Sequence, residues 1–222
     1  MSARAETGGV AYEILRRRGQ KHIYLRIRPD GSVVVSTPRH VPDGEIAAFV
    51  ATKASWIRSR LSHRTAHSRP EPSGWKAGTA LWYLGESYPV RRIDAARNRL
   101  TFEGDGFLFH CCDEAGFLQA VRRFYHREAA RHIGERVAYW SDRMGLVPAD
   151  VAFRRYKSRW GCCNANNRLT FNTALIRYAP ELIDYVIVHE LAHIRHKNHS
   201  KAFWHLVTRY LPDAKALRRR LV

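Results

Sequence analysis

The sequence predicts an α+β protein, with a β-rich N-terminal region followed by a C-terminal half built on helices. Apolar residues alternate with polar ones through HIYLRIRPDGSVVVSTP, and short strand-like runs recur as far as GFLFHC. From Asp113 the apolar spacing becomes helical in DEAGFLQAVRRFYHREAARHIGERVAYWSDRMGL. The expected division is therefore residues 1–112, β-rich with one helix, and residues 113–222, the helical half.

In the first strand pair, Ile23, Leu25 and Ile27 alternate, Val33 and Val35 alternate again, and Pro-Asp-Gly between them signals a hairpin. Ile46, Phe49, Val50, Trp56, Ile57 and Leu61 then fall mostly at helical spacing, which predicts the one N-terminal helix. Residues 63–78 are rich in Pro, Ser and Gly and read as a loop. LWYLGESYPVRRI, NRLTFEG and GFLFHC follow as short strands. The long helical pattern from Asp113 ends around Gly145, with Phe117, Val121, Phe124, Ile133, Val137 and Trp140 as its apolar face. VAFRRYK and RLTFNTAL read as a strand pair joined by SRWGCCNANN. PELIDYVIVHELAHIRH opens a helix on Pro180, a residue suited to the first turn because it has no N–H to leave unpaired. KAFWHLVTRYL continues as another helix before a basic tail.

Length and composition narrow the function classes. A chain of 222 residues buries a core without help from disulfides, and its four cysteines form two adjacent pairs, Cys111-Cys112 and Cys162-Cys163, whose members point to opposite faces of a strand. That is no disulfide framework, and adjacent cysteines rarely chelate one metal together. The opening residues lack the apolar run of a signal peptide, and no segment approaches the roughly 18 apolar residues of a membrane helix. These features predict a cytoplasmic chain with no membrane partner. A net charge of +18 suits an anionic partner. The arginines are nevertheless spread along the whole chain, with no nucleic-acid-binding module signature. Nucleic acid enters as a partner through general surface basicity only.

The most informative stretch is VHELAHIRHKNH, residues 188–199. His189, Glu190 and His193 spell H-E-x-x-H. Residues four apart share a helix face, so both imidazoles can hold one Zn2+, with Glu190 beside them to take a proton from a water the ion activates. The apolar run Tyr185–Val188 just before it suits a helix threading a core, where unpaired polar groups would be costly to bury. A catalytic zinc takes three protein ligands. His196 lies about 10 Å along the axis from His189 at 1.5 Å per residue, too far to share the site. His199 can swing back if the helix stops near Lys197-Asn198, Asn being tolerant of a left-handed turn. His205 and Asp213 stay open as alternatives. The metzincin pattern is excluded, since His196 stands where that motif has Gly and both methionines precede the motif.

The run KSRWGCCNANNRLTFNTALIRYAPELIDYVIVHELAHIRHKNHSKAFWHLVTRYLPD, residues 157–213, resembles the YgjP-like metallopeptidase domain, which is related to the SprT and WLM zinc proteases; RIRPDGSVVVSTP and YLGESYPV resemble its usual leader. The resemblance implies a zincin-like catalytic domain with zinc held by His189, His193 and His199 and Glu190 as general base. One departure is Cys162, where W-G-S-C would carry serine; Cys163 keeps the family position.

The expectation is thus a zinc-dependent metallohydrolase, foremost a metallopeptidase acting on peptide or protein. The alternatives are a zinc-dependent nucleoside-triphosphate pyrophosphatase and a basic, DNA-associated SprT-like protease. Lys157, Arg159 and Asn172 are the candidate substrate-binding residues. RLTFNTAL, directly before the motif helix, is a candidate shelf for an extended peptide; Lys157, Arg159 and Arg168 are a candidate phosphate cradle.

Overall fold

The computed structural model describes residues 2–28, 31–67 and 72–221. The chain folds as an α+β protein in two compact units, residues 1–68 and residues 69–221.

In the first unit, β1 (Ser2–Thr7), β2 (Val10–Arg17), β3 (Tyr24–Ile27) and β4 (Val33–Pro38) form one sheet in the order β1-β2-β4-β3, and α1 (Asp43–His67) follows. β3 and β4 pair antiparallel with Ile27 opposite Val33, as the alternation predicts; Pro29 and Asp30 of the expected turn lie outside the described residues. Val10, Tyr12, Ile14, Val33 and Val35 bury against Ile46, Val50, Ala54 and Ile57 of α1. The helix runs on to His67 rather than ending at His63, because residues 63–67 hold neither glycine nor proline to stop it.

In the second unit, β5 (Ala80–Tyr83), β6 (Glu86–Asp94), β7 (Arg99–Phe102) and β8 (Phe107–Cys111) form a sheet in the order β5-β6-β8-β7. LWYLGESYPVRRI is thus two strands, with Leu84 and Gly85 at the turn. The long helical pattern becomes α2 (Phe117–Glu128), a π-helical turn (Ala129–Ile133) and α3 (Gly134–Met144). β9 (Asp150–Arg154), β10 (Gly161–Cys163) and β11 (Arg168–Asn172) form a second sheet, followed by α4 (Pro180–Arg195), α5 (Lys201–Tyr210) and α6 (Ala214–Arg220). The basic tail is therefore a helix, and its Arg220 pairs with Glu181 at 2.8 Å.

The division expected near residue 112 does not coincide with these units. Leu81, Leu100, Phe107 and Phe109 share one core with Phe117, Phe124, Ile183, Ile187 and Leu191, so the sheet before residue 112 and the helices after it bury a common apolar surface. α4 runs through that core, with Ile183, Ile187, Val188, Leu191 and Ala192 wholly buried. Each large aliphatic side chain among them contributes about 1.5–3 kcal/mol by leaving water. Arg136 of α3 grips Asp184 with two hydrogen bonds of 2.7 and 2.6 Å, which orients the helix. No helix among the described residues is long and apolar enough to cross a membrane.

The three-stranded sheet corrects the strand-pair expectation. Its order is β10-β11-β9, with β11 parallel to β9 and antiparallel to β10. RLTFNTAL is thus flanked on both sides and cannot accept a peptide as a further strand. The edges are β9 and β10, and β10 lies inside the segment read only as a connection.

Candidate metal centre

His189 and His193 lie one turn apart on α4, their ring centroids separated by 5.0 Å. The helix stops at Arg195. His196 is extended at φ −126° and ψ 100°, yet its N–H still donates to the Ala192 carbonyl at 2.9 Å. Four residues later Ser200 caps α5, its hydroxyl accepting from the Phe203 N–H. The short reversal returns His199 to α4, with its ring 5.0 Å from His189 and 4.8 Å from His193. The His199 Nε2 stands 3.1 Å from the His189 Nε2. One ligand nitrogen from each of the three lies within 4.8 Å of the others. Phe203, fully buried, packs its ring 4.5 to 4.9 Å from all three imidazoles and forms the floor of the cluster.

His189 and His193 are held in the neutral form a metal needs. The His193 Nδ1 lies 2.9 Å from the His196 carbonyl, which can only accept, so Nδ1 carries the proton and Nε2 keeps its lone pair for the cluster. Burial, then the neighbouring His193 and His199, push His189 down to about 3, and burial lowers His193 as well. The His189 Nδ1 is buried without a hydrogen-bond partner, an unsatisfied polar atom beside three converging nitrogens. Three imidazoles suit a borderline cation such as Zn2+, and three donors are the count of a catalytic rather than a closed structural site. The residues present fit the ion. Among the described residues these three make up the group able to hold one; His196, His205 and Asp213 are not part of it.

Glu190 occupies the buried side of this helix turn, only 7% exposed. Burial pushes its carboxyl up to about 7, while the Arg159 guanidinium and the Cys163 backbone N–H, which donates to it, pull the other way. Its neighbour is Gly161 of β10. A β-carbon added there would sit 2.7 Å from the Glu190 Cγ and 2.9 Å from its Oε1, so only glycine leaves this side chain its place. A glycine inside a strand can mark the close approach of another group, and Gly161 within SRWGCCNANN is the one sequence signal for this contact.

The hydrogen bonds of β10 explain why its edge faces Glu190. The Asn164 N–H reaches the Arg168 carbonyl, and the Asn172 N–H the Trp160 carbonyl. In an antiparallel pair the intervening residues turn their polar groups the other way, so Gly161 and Cys163 present theirs to the open edge.

The remaining candidates divide. Arg159 is exposed, its guanidinium 5.4 Å from the centre of the Tyr156 ring. Lys157 is exposed on the same loop. Asn172 is 3% exposed; its amide donates to the Tyr156 and Arg159 carbonyls at 3.0 and 2.9 Å, and its Oδ1 accepts from the Ala174 N–H. It anchors the loop bearing Arg159 and has no group left to offer a ligand. Arg168 is paired with Asp150 at 2.8 Å. Cys162 places its sulfur 3.8 Å from the Tyr156 hydroxyl, and burial pushes the Cys163 thiol up.

The family model described as YgjP-like, metallopeptidase domain, matches residues 21–222. The chain belongs to the YgjP-like metallopeptidase family. No curated protein matches this YgjP-like chain. Two solved structures are similar in part, the metallopeptidase zymogens of Pyrococcus abyssi abylysin, 24% identical, and of Methanocaldococcus jannaschii jannalysin, 19% identical. Each similarity covers 40% of the YgjP-like chain and 90% or 92% of the other, with TM-scores of 0.38 and 0.37. A likeness at that level carries no weight for the fold or the chemistry.

Proposed function

We propose that the protein is a zinc-dependent peptidase in which His189, His193 and His199 hold the metal and Glu190 is the general base. The observation that carries this is the convergence of three imidazoles beside a buried carboxyl, in a chain of a metallopeptidase family. Zinc, when bound, supplies a Lewis acid that acidifies water and stabilises negative charge on the scissile carbonyl. Glu190 takes the proton of the attacking water and passes it to the leaving amine. Its dry setting suits the task, because a carboxyl held near 7 in the metal-free chain is a strong base once ionised, and a cation in the cluster favours the ionised form. Arg159, exposed and close enough to act on Glu190, is the cation available to a developing oxyanion. The edge of β10 offers an extended peptide the Gly161 backbone groups and the Cys163 carbonyl, directly beside the base. Peptide is the substrate this arrangement favours over nucleotide: Arg168, one of the three cations of the alternative phosphate cradle, is paired with Asp150.

The test is one zinc-loaded preparation offered unfolded protein, a peptide library and nucleoside triphosphates, with Glu190→Gln as control. Peptide cleavage is expected, falling on the order of a hundredfold or more in Glu190→Gln, which keeps its zinc. Near-normal peptide turnover in that variant removes Glu190 as base, and nucleotide turnover with inert peptides overturns the substrate.

A further inference from the structure

Of the three imidazoles His199 is the exposed one, and it lies on a five-residue reversal between two helices. We infer that Lys197 is its positioning residue, latching the His199 loop onto the turn between β10 and β11. This rests on the reading of His199 as a ligand and deepens it.

The Lys197 ammonium has three donors and three acceptors near it: the Asn167 Oδ1 at 2.5 Å, the Asn164 carbonyl at 3.2 Å and the Cys163 sulfur at 3.8 Å. An exposed lysine is usually free to sample many rotamers, and a single exposed ion pair would add little. Here the three acceptors come from the end of β10 and the turn that follows it, and that turn is itself hydrogen-bonded. Asn167 holds the left-handed conformation at φ 58°, its N–H donates to the Asn164 carbonyl, and its own carbonyl accepts from the Ala149 N–H. The Asn164 side chain in turn accepts from the Arg168 N–H at 2.9 Å. The turn is continuous with β10, whose Gly161 and Cys163 seat Glu190. Through Lys197, the loop carrying the last ligand and the strand holding the base share one anchor. The His193 to His196 bond secures the start of the loop and the Ser200 cap its end; Lys197 secures the middle. Partners hydrogen-bonded directly to a ligand set metal affinity by ten- to a hundredfold, and Lys197, which holds the loop and not the imidazole, acts at the lower end of that range.

Zinc affinity of the folded chain, measured by competition with a chelator, is the readout. Lys197→Met keeps the length of the stem and removes the donors; Asn167→Gly keeps the left-handed turn and removes the best acceptor; Asn167→Asp keeps the acceptor. The first two are expected to weaken zinc binding about tenfold. Asn167→Asp is expected to retain it, and the double variant Lys197→Met with Asn167→Gly to be no weaker than the worse single, since both remove the same latch. Wild-type affinity in Lys197→Met, or additive losses in the double variant, overturns the latch. If Lys197→Met does not fold, Asn167→Gly against Asn167→Asp decides alone. His199→Ala is measured in parallel: unchanged affinity there refutes the ligand assignment, whereas a loss there with none in the latch variants refutes the latch only.

Discussion

Glu190 and His189 are neighbours that burial drives in opposite directions, the carboxyl up to about 7 and the imidazole down to about 3. Both are therefore held neutral in the metal-free chain near pH 6, and each costs stability, Glu190 as pH rises and His189 as pH falls. An unfolded Glu190 releases its proton near 4.5 while the native one keeps it until about 7, so the native state binds more protons between these values. The stability lost through it accumulates as pH rises from 4.5 to 7 and is complete above. Conversely, an unfolded His189 takes up a proton from 6.5 downward while the native ring does so only near 3, so its contribution is lost as pH falls through that range. Glu190→Gln removes the first penalty. Urea unfolding of the metal-free variant is expected to show a gain over wild type at pH 8, at most on the order of 3 kcal/mol, that vanishes below pH 4.5. An equal gain at pH 8 and pH 4 would show that packing, not ionisation, is the cause.

At the scale of elements, the site is a helix, a reversal and a three-residue strand. α4 was legible in the sequence because its signals are local: a proline at the first turn, a continuous apolar run, and two histidines four apart. β10 was not, because Gly161–Cys163 is too short to display a period and owes its strand conformation to β11. For the same reason the peptide shelf was expected on RLTFNTAL, whose apolar pattern is that of a strand buried between two others. Gly161→Ala tests the strand's hold on the base. The new methyl must displace the Glu190 stem, since the clash falls on Cγ and not only on a free tip. Turnover is expected to fall up to about a hundredfold, the cost of an ångström of misplacement, with zinc affinity near wild type. Gly134→Ala, where an added carbon meets nothing, is the neutral control. Loss of zinc together with activity in Gly161→Ala would mean that β10 supports the metal and not the base.

For the whole molecule, the consequence of a shared core is that the second unit cannot be cut at the boundary that composition suggests. A chain starting at Asp113 lacks Leu81, Tyr83, Val90, Leu100, Phe107 and Phe109, all buried with α2. At about 1.5–3 kcal/mol each, their loss rivals the 5–15 kcal/mol that holds a typical domain together. A chain starting at Pro72 keeps them. We expect the longer fragment to be folded and to bind zinc, and the shorter to do neither, as read by circular dichroism and metal analysis. Zinc binding by a folded 113–222 fragment would restore the earlier division. The sequence by itself determined the α+β class, the helix carrying His189, Glu190 and His193, and the resemblance to a peptidase family, because periodicity and motif spacing are properties of neighbouring residues. It favoured His199 as the third ligand over His205 and Asp213. Only the tertiary structure brought the His199 ring beside His189 and His193, joined the sheet before residue 112 to the later core, and set β10, Gly161 and Lys197 around the site. Those choices depend on where distant segments pack, and no local pattern encodes the contacts between them.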